Sequence, residues 1–168
     1  MSDAPSGLTG VGVLPTPVTL VSNKIMELTF DILRECGEGQ RECQVVWIGP
    51  WSAPQVVTSV VHPVHQAYGD GFELSDSWIS RFFTYLSETK QGIRVQVHTH
   101  PGRAFHSATD DGWPIVSTPG FQSLVIPRFA QGDVGFEGAY LAELDAEGAW
   151  RELPCLSRIL VNDQPRNL

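Results

Sequence analysis

Two histidines separated by one residue, His98 and His100, and an aspartate ten positions further on, Asp110, have the types and spacing to hold a metal ion. On a strand, successive side chains face opposite ways, so His98 and His100 project to one side and Thr99 to the other. Two imidazoles on one face chelate a single cation, and zinc takes such nitrogen donors at about 2.0–2.1 Å. Asp110 is the natural third ligand, reached across a loop that turns back. Three protein ligands leave a fourth position for water, which separates a catalytic zinc site from a closed structural one.

A metal used for hydrolysis needs a base for the proton of the attacking water and a donor for the developing oxyanion. Ser107 stands three residues before Asp110, and one turn of chain brings both side chains together. Its hydroxyl is the candidate oxyanion donor. Ser-x-x-Asp is also the spacing of a helix capping box, although Gly112 and Pro114 make a poor helix to cap. Glu42 precedes the apolar run Cys43–Ile48 and is the candidate base, provided that this run pairs with the histidine strand. The alternative for Glu42 is a solvated residue after a glycine-rich turn. Asp111 competes with Asp110, but the Ser-x-x-Asp spacing selects Asp110. Trp113 follows the ligand loop as a candidate substrate-groove residue, the alternative being a place in the core, where Trp47 and Phe121 are expected.

These residues need a scaffold. Residues 1–17, rich in glycine and proline, read as a loose leader, and 18–168 as one domain. A short strand is expected around Val18–Val21, then a helix from Asn23 to about Cys36, capped by Ser22. Cys43–Ile48 and Gln55–Val61 read as strands. A second helix is expected to open within Phe72–Asp76 and to run to about Thr89, with Trp78, Ile79, Phe82, Phe83 and Leu86 on its apolar face. Ile93–His100 is a strand halted by Pro101-Gly102. Gln122–Ile126 is another, Val134–Leu144 and Ala149–Leu153 form a hairpin, and Arg158–Val161 adds a last strand. This order points to an α+β (mixed α/β) sandwich rather than a strict βαβ repeat.

The composition excludes several classes. With 42% hydrophobic and 18% charged residues the chain is globular, and no apolar run reaches the ~18–20 residues of a membrane helix. Net charge is −8, Lys24 and Lys90 are the only lysines, and nucleic acid is therefore not an expected partner. Residues 1–16 lack the features of a signal peptide, so a cytoplasmic location is expected. Cys36, Cys43 and Cys155, odd in number and without CxxC spacing, suggest neither a disulfide framework nor a thiolate zinc site. His106 reads as a loop residue. His62 and His65, three apart on a strand, are expected on opposite faces.

His98-Thr99-His100-Pro101, then five residues, then Ser107-x-x-Asp110 resembles the motif of the JAMM (MPN-type, Jab-like) metalloproteases. Glu42 to Gly49 is similar to the family's upstream glutamate segment in spacing, departing from it at Gln44 and Val45. The likeness covers roughly Asn23 to Leu144. It implies an MPN/JAB-like (cytidine-deaminase-like) fold, a curved mixed sheet flanked by helices. It implies one catalytic zinc ion on His98, His100 and Asp110, Glu42 as general base and proton shuttle, and Ser107 on the oxyanion. The chain most resembles compact bacterial members found beside ubiquitin-like conjugation enzymes. The implied substrate is the C-terminal tail of a ubiquitin-like protein or its conjugates, with cognate activating and conjugating enzymes as further partners. A non-catalytic scaffold and a peptidase processing a sulfur-carrier protein are the alternatives.

Overall fold

The computed structural model describes residues 18–112 and 114–162. The chain runs through β1 (Thr19–Ser22), α1 (Asn23–Gly37), β2 (Gln44–Pro50), β3 (Ser59–Val61), β4 (His65–Tyr68) and β5 (Gly71–Leu74). It continues through α2 (Asp76–Glu88), β6 (Gln91–Thr99), α3 (Ala108–Gly112), β7 (Gln122–Ile126), β8 (Tyr140–Leu144), β9 (Trp150–Leu153) and β10 (Ile159–Asn162). The leader, residues 1–17, lies outside the described residues.

Six strands form one mixed sheet in the order β3-β2-β6-β7-β8-β9. Among the described residues, only β6 and β7 run parallel within it; the other neighbours are antiparallel. α1 covers one face, packing Met26, Phe30 and Leu33 on Val45, Trp47, Val95, Val97, Leu124 and Ile126. α2 covers the other, where Phe82 and Leu86 meet Val46 and Ile48. A strand covered on both faces is apolar without alternation, which is why Cys43–Ile48 reads as one continuous hydrophobic run. The α1 face is fixed by a polar relay inside it. The Trp47 indole N–H donates to the Thr29 hydroxyl at 2.8 Å, and that hydroxyl donates to the Ile25 carbonyl at 2.7 Å. Trp47 is fully buried, so Trp47→Ala is expected to cost about 3–5 kcal/mol.

Local signals explain most elements. The Ser22 hydroxyl accepts the Ile25 amide and caps α1. β1 pairs in parallel with β10, apart from the main sheet. Four expectations change. Phe72 does not open α2; it belongs to β5, which forms a separate hairpin with β4. Phe83 is 42% exposed, because α2 meets the sheet through Phe82 and Leu86, with Trp78 packed beside them. The Val134–Leu144 strand shortens to Tyr140–Leu144, since Gly138 adopts a left-handed φ of 69°. Cys36 and Cys43 are not independent thiols: the structure joins them as a disulfide with a Cα–Cα distance of 6.2 Å. The turn after α1 closes that gap, the Gln40 and Arg41 amides both donating to the Gly37 carbonyl.

Candidate metal centre

β6 carries His98 near its C-terminal end, and His100 lies just past it. Alternation sends Val95, Val97 and Thr99 toward α1 and leaves His98 and His100 on the α2 side of the sheet. Thr99 is fully buried, and its hydroxyl accepts the Cys43 amide at 3.0 Å. The chain then crosses over the end of the sheet and starts α3, which supplies the carboxylate. Here both readings of Ser-x-x-Asp hold together. Asp110 Oδ2 accepts the Ser107 amide at 2.7 Å, and the Ser107 hydroxyl accepts the Asp110 amide at 3.2 Å. This reciprocal cap turns the Asp110 carboxylate back toward the histidines. Its Oδ1 stands 3.2 Å from His98 Nε2 and its Oδ2 3.4 Å from His100 Nε2.

The carbonyl end of this strand is clamped. The His100 amide donates to Ile126, the Phe129 amide to the His100 carbonyl, and the Arg128 amide to Gly102. Arg128, Phe129 and Ala130 all hold left-handed backbone, at φ 53°, 52° and 60°. Such residues cost of order 1–3 kcal/mol each and persist only where the surroundings hold them. Arg34 of α1 does the holding, donating to the carbonyls of Ala130 at 2.7 Å and Gly132 at 2.6 Å.

His98 is fully buried and neither of its ring nitrogens makes a hydrogen bond. Its Nε2 is close to Asp110 but not directed at it in hydrogen-bond geometry. A buried polar ring without partners is costly, and an ion shared by ring and carboxylate removes that cost. Burial lowers the His98 pKa, more than the adjacent Asp110 raises it, so the ring is held in the neutral, ligating form. Burial pushes Asp110 up, but His100, His98 and Ser107 outweigh it and hold the carboxyl well below the usual range, as an anion. One neutral imidazole held ready, a second beside it and one carboxylate, their donor atoms all within 4.8 Å of one another, fit a divalent cation.

Glu42 reaches the same place from the neighbouring strand. β2 pairs with β6 so that Gln44 lies opposite His98, and the Thr99 amide donates to the Cys43 carbonyl. One further step along that alignment puts Glu42 beside His100. Glu42 is 6% exposed, and burial pushes its carboxyl up to about 7, with His100 opposing and Asp110 and Asp70 reinforcing the shift. Glu42, His100 and Ser107 line one cleft of about 260 Å³, together with Asp70, Arg103 and Phe105.

Over 127 residues the chain is 32% identical to the "Probable metalloprotease y4jG" of Sinorhizobium fredii (strain NBRC 101917 / NGR234), an overlap covering 73% of this chain and 78% of that protein. The chain belongs to this metalloprotease family. It is accordingly a metal-dependent peptidase, and His98, His100 and Asp110 form a group able to hold the metal. No family model matches the sequence. The solution structure of protein DSY2949 from Desulfitobacterium hafniense shares the fold, with a TM-score of 0.64 over 89% of this chain and 96% of that one, at 14% identity.

The metalloprotease cleft also contains residues that spacing alone does not reveal. Asp70 sits in the β4–β5 turn, and Phe72 of β5 packs its ring 5.8 Å from that of His98. Phe105 meets His100 edge-on at 4.6 Å. A hairpin signal in Gly69-Asp70-Gly71 was the available clue to this wall. His106, read as a loop residue, packs against Trp150 at 4.6 Å and lies 6.3 Å from His98. Trp113, the candidate groove residue, lies outside the described residues. Asp111 falls within α3 next to Asp110. Among the described residues no helix is long and apolar enough to cross a membrane.

Proposed function

We propose that this metalloprotease is a zinc-dependent isopeptidase of the JAMM type that cleaves a ubiquitin-like protein from its precursor or from conjugated targets. The observation that carries the reading is convergence. Glu42, just before β2, lines the same cleft as His100 and Ser107 from far along the chain, and Asp110 stands against both His98 and His100. Two imidazoles and a carboxylate are the donor set that zinc accepts in hydrolytic sites. A cation held by His98, His100 and Asp110 supplies Lewis acidity to the reacting oxygens.

The chain's own groups do the rest. Glu42 accepts the proton of the attacking water and returns it to the leaving lysine amine. Its carboxyl, at about 7 without a cation, is lowered by a positive charge in the seat, which keeps it basic at neutral pH. The Ser107 hydroxyl oxygen accepts the Asp110 amide, leaving its proton to donate to the carbonyl oxygen as that oxygen gains charge. The resemblance in His98–Asp110 supplies the substrate class, with the activating and conjugating enzymes of the same modifier as partners.

The test is cleavage of a ubiquitin-like precursor and of a lysine-linked conjugate, with and without a chelator. Glu42→Gln is expected to keep its metal and to lose about 10²–10⁴ in kcat. Wild-type turnover by that variant removes Glu42 from the mechanism. A chain that binds metal yet cleaves neither substrate is a scaffold, and the proposal fails.

A further inference from the structure

Cys36, Cys43, His62 and His65 form a second cluster, and His65 shares one face of the β4–β5 hairpin with Phe72, whose ring lies between it and His98. Cys36 comes from the last turn of α1 and Cys43 from the step into β2. His62 follows β3, and His65 opens β4. The four donor atoms lie within 4.8 Å of one another. Cys36 Sγ is 3.4 Å from His65 Nε2 and Cys43 Sγ is 3.3 Å from His62 Nε2, one ring to each sulfur. The expectation that His62 and His65 face apart fails because Pro63 ends the strand between them.

We infer that, with its cysteines reduced, the chain holds a second metal ion, a structural zinc, on Cys36, Cys43, His62 and His65. Zinc bound to thiolate at about 2.3 Å and to imidazole at about 2.0–2.1 Å places sulfur and nitrogen about 3.5 Å apart across a tetrahedral edge. Both sulfur–nitrogen contacts are near that value. The second support is a tautomer argument. His65 Nδ1 lies 2.8 Å from the Pro63 carbonyl, which accepts but cannot donate, so Nδ1 carries the proton. The neutral ring then turns a bare Nε2 lone pair toward Cys36 Sγ. A disulfide sulfur has no hydrogen to offer it, whereas a cation between them satisfies both. A backbone carbonyl on the outer ring nitrogen is also how metal-binding histidines are oriented. Four protein ligands close the coordination shell, which makes the site structural rather than hydrolytic.

The ion would fasten the hairpin that walls the cleft. Cys43 is bonded to Glu42, whose amide donates to the Tyr68 carbonyl of β4 at 2.7 Å. His65 packs against Phe72, and Phe72 against His98. This inference does not depend on the isopeptidase reading.

Cobalt titration of the full-length, fully reduced, metal-free chain tests it. Two equivalents are expected to bind, with thiolate-to-cobalt charge-transfer absorption in the near ultraviolet. His98, His100 and Asp110 cannot produce that band, since they contain no sulfur. His98→Ala is expected to bind one equivalent and keep the band; Cys36→Ser/Cys43→Ser is expected to bind one and lose it. Wild-type chain that binds a single equivalent without the band overturns the inference, and this result requires no variant to fold. So does wild-type chain whose Cys36 and Cys43 thiols react with an alkylating reagent equally fast with and without zinc.

Discussion

His98 and His100 are carried by a central strand of a six-stranded sheet, whereas Cys36, Cys43, His62 and His65 stand at the ends of four separate elements. The first group is positioned by structure that exists for other reasons. Buried strands on either side, a reciprocal cap at α3 and a left-handed turn held by Arg34 fix its donors with or without an ion. The second group is framed on one side: Cys43 is buried in the core with its amide on Thr99 and is tied to Cys36, whereas the two histidines stand on the short step from β3 into β4. Its histidines flank Pro63, and among the described residues β4 and β5 form a two-stranded sheet of their own, tied to the chain before β2 by the Glu42 amide on the Tyr68 carbonyl. The difference teaches that one donor group is prepared by the sheet around it, whereas the other gathers donors from the ends of separate elements.

The sharpest way to break this contrast is to remove each group in turn. His98→Ala is expected to abolish cleavage while leaving secondary structure and the cobalt–thiolate band in place, as read by circular dichroism and absorption. A His98→Ala chain that unfolds contradicts the view that the sheet is built independently of its ligand. Next in size, Cys36→Ser/Cys43→Ser is expected to speed hydrogen exchange at the amides of β4 and β5 by about tenfold or more, with β6 and β7 unchanged. Uniform loss of protection contradicts a local fastening role.

Ser107→Ala sharpens the comparison within the first group, because Ser107 both caps α3 and faces the cleft. A loss of about 10²–10³ in kcat is expected for an oxyanion donor, against about 1 kcal/mol of stability for a lost cap. A stability loss with unchanged kcat assigns it to capping alone.

The smallest effect concerns Glu42 in the metal-free chain. Its folded pKa is raised from 4.5 to about 7. Between those values the folded chain keeps a proton that the unfolded chain releases, so stability falls as pH rises through this window. Glu42→Gln removes the penalty. Its Tm is expected to match wild type near pH 4 and to exceed it by roughly 5 °C near pH 8. An equal shift at both pH values attributes the effect to packing rather than to charge.

The candidate metal-holding group was legible because strand alternation and a one-turn spacing are local rules: His98, His100, Ser107 and Asp110 need only their neighbours to meet. Glu42 was legible once β2 was assumed to pair with β6, and the Gln44–His98 register bears that pairing out. Most strands and both long helices followed from apolar periodicity and caps. The β4–β5 hairpin did not, because His65–Leu74 buries little and therefore carries no strong pattern. The four-residue cluster was missed for the same reason in another form. Its spacings, Cys-x6-Cys and His-x2-His, are unlike those of compact zinc motifs, and a proline turn defeated the strand rule that separated His62 from His65.

β6 and β7 are the only parallel neighbours in the six-stranded sheet among the described residues. Antiparallel strands can be joined by two residues, but a parallel pair obliges the chain to travel back along a full strand before it can re-enter. Between Thr99 and Gln122 the outward leg holds His100, Ser107 and Asp110, tethered by the cap and by the left-handed turn. The return leg, from Pro114 to Gly120, carries none of them. Tolerance for added length is therefore lopsided. Extra residues after the exposed Ser117 lengthen only the return path, while the same residues between His100 and Ser107 pull the carboxylate off the histidines.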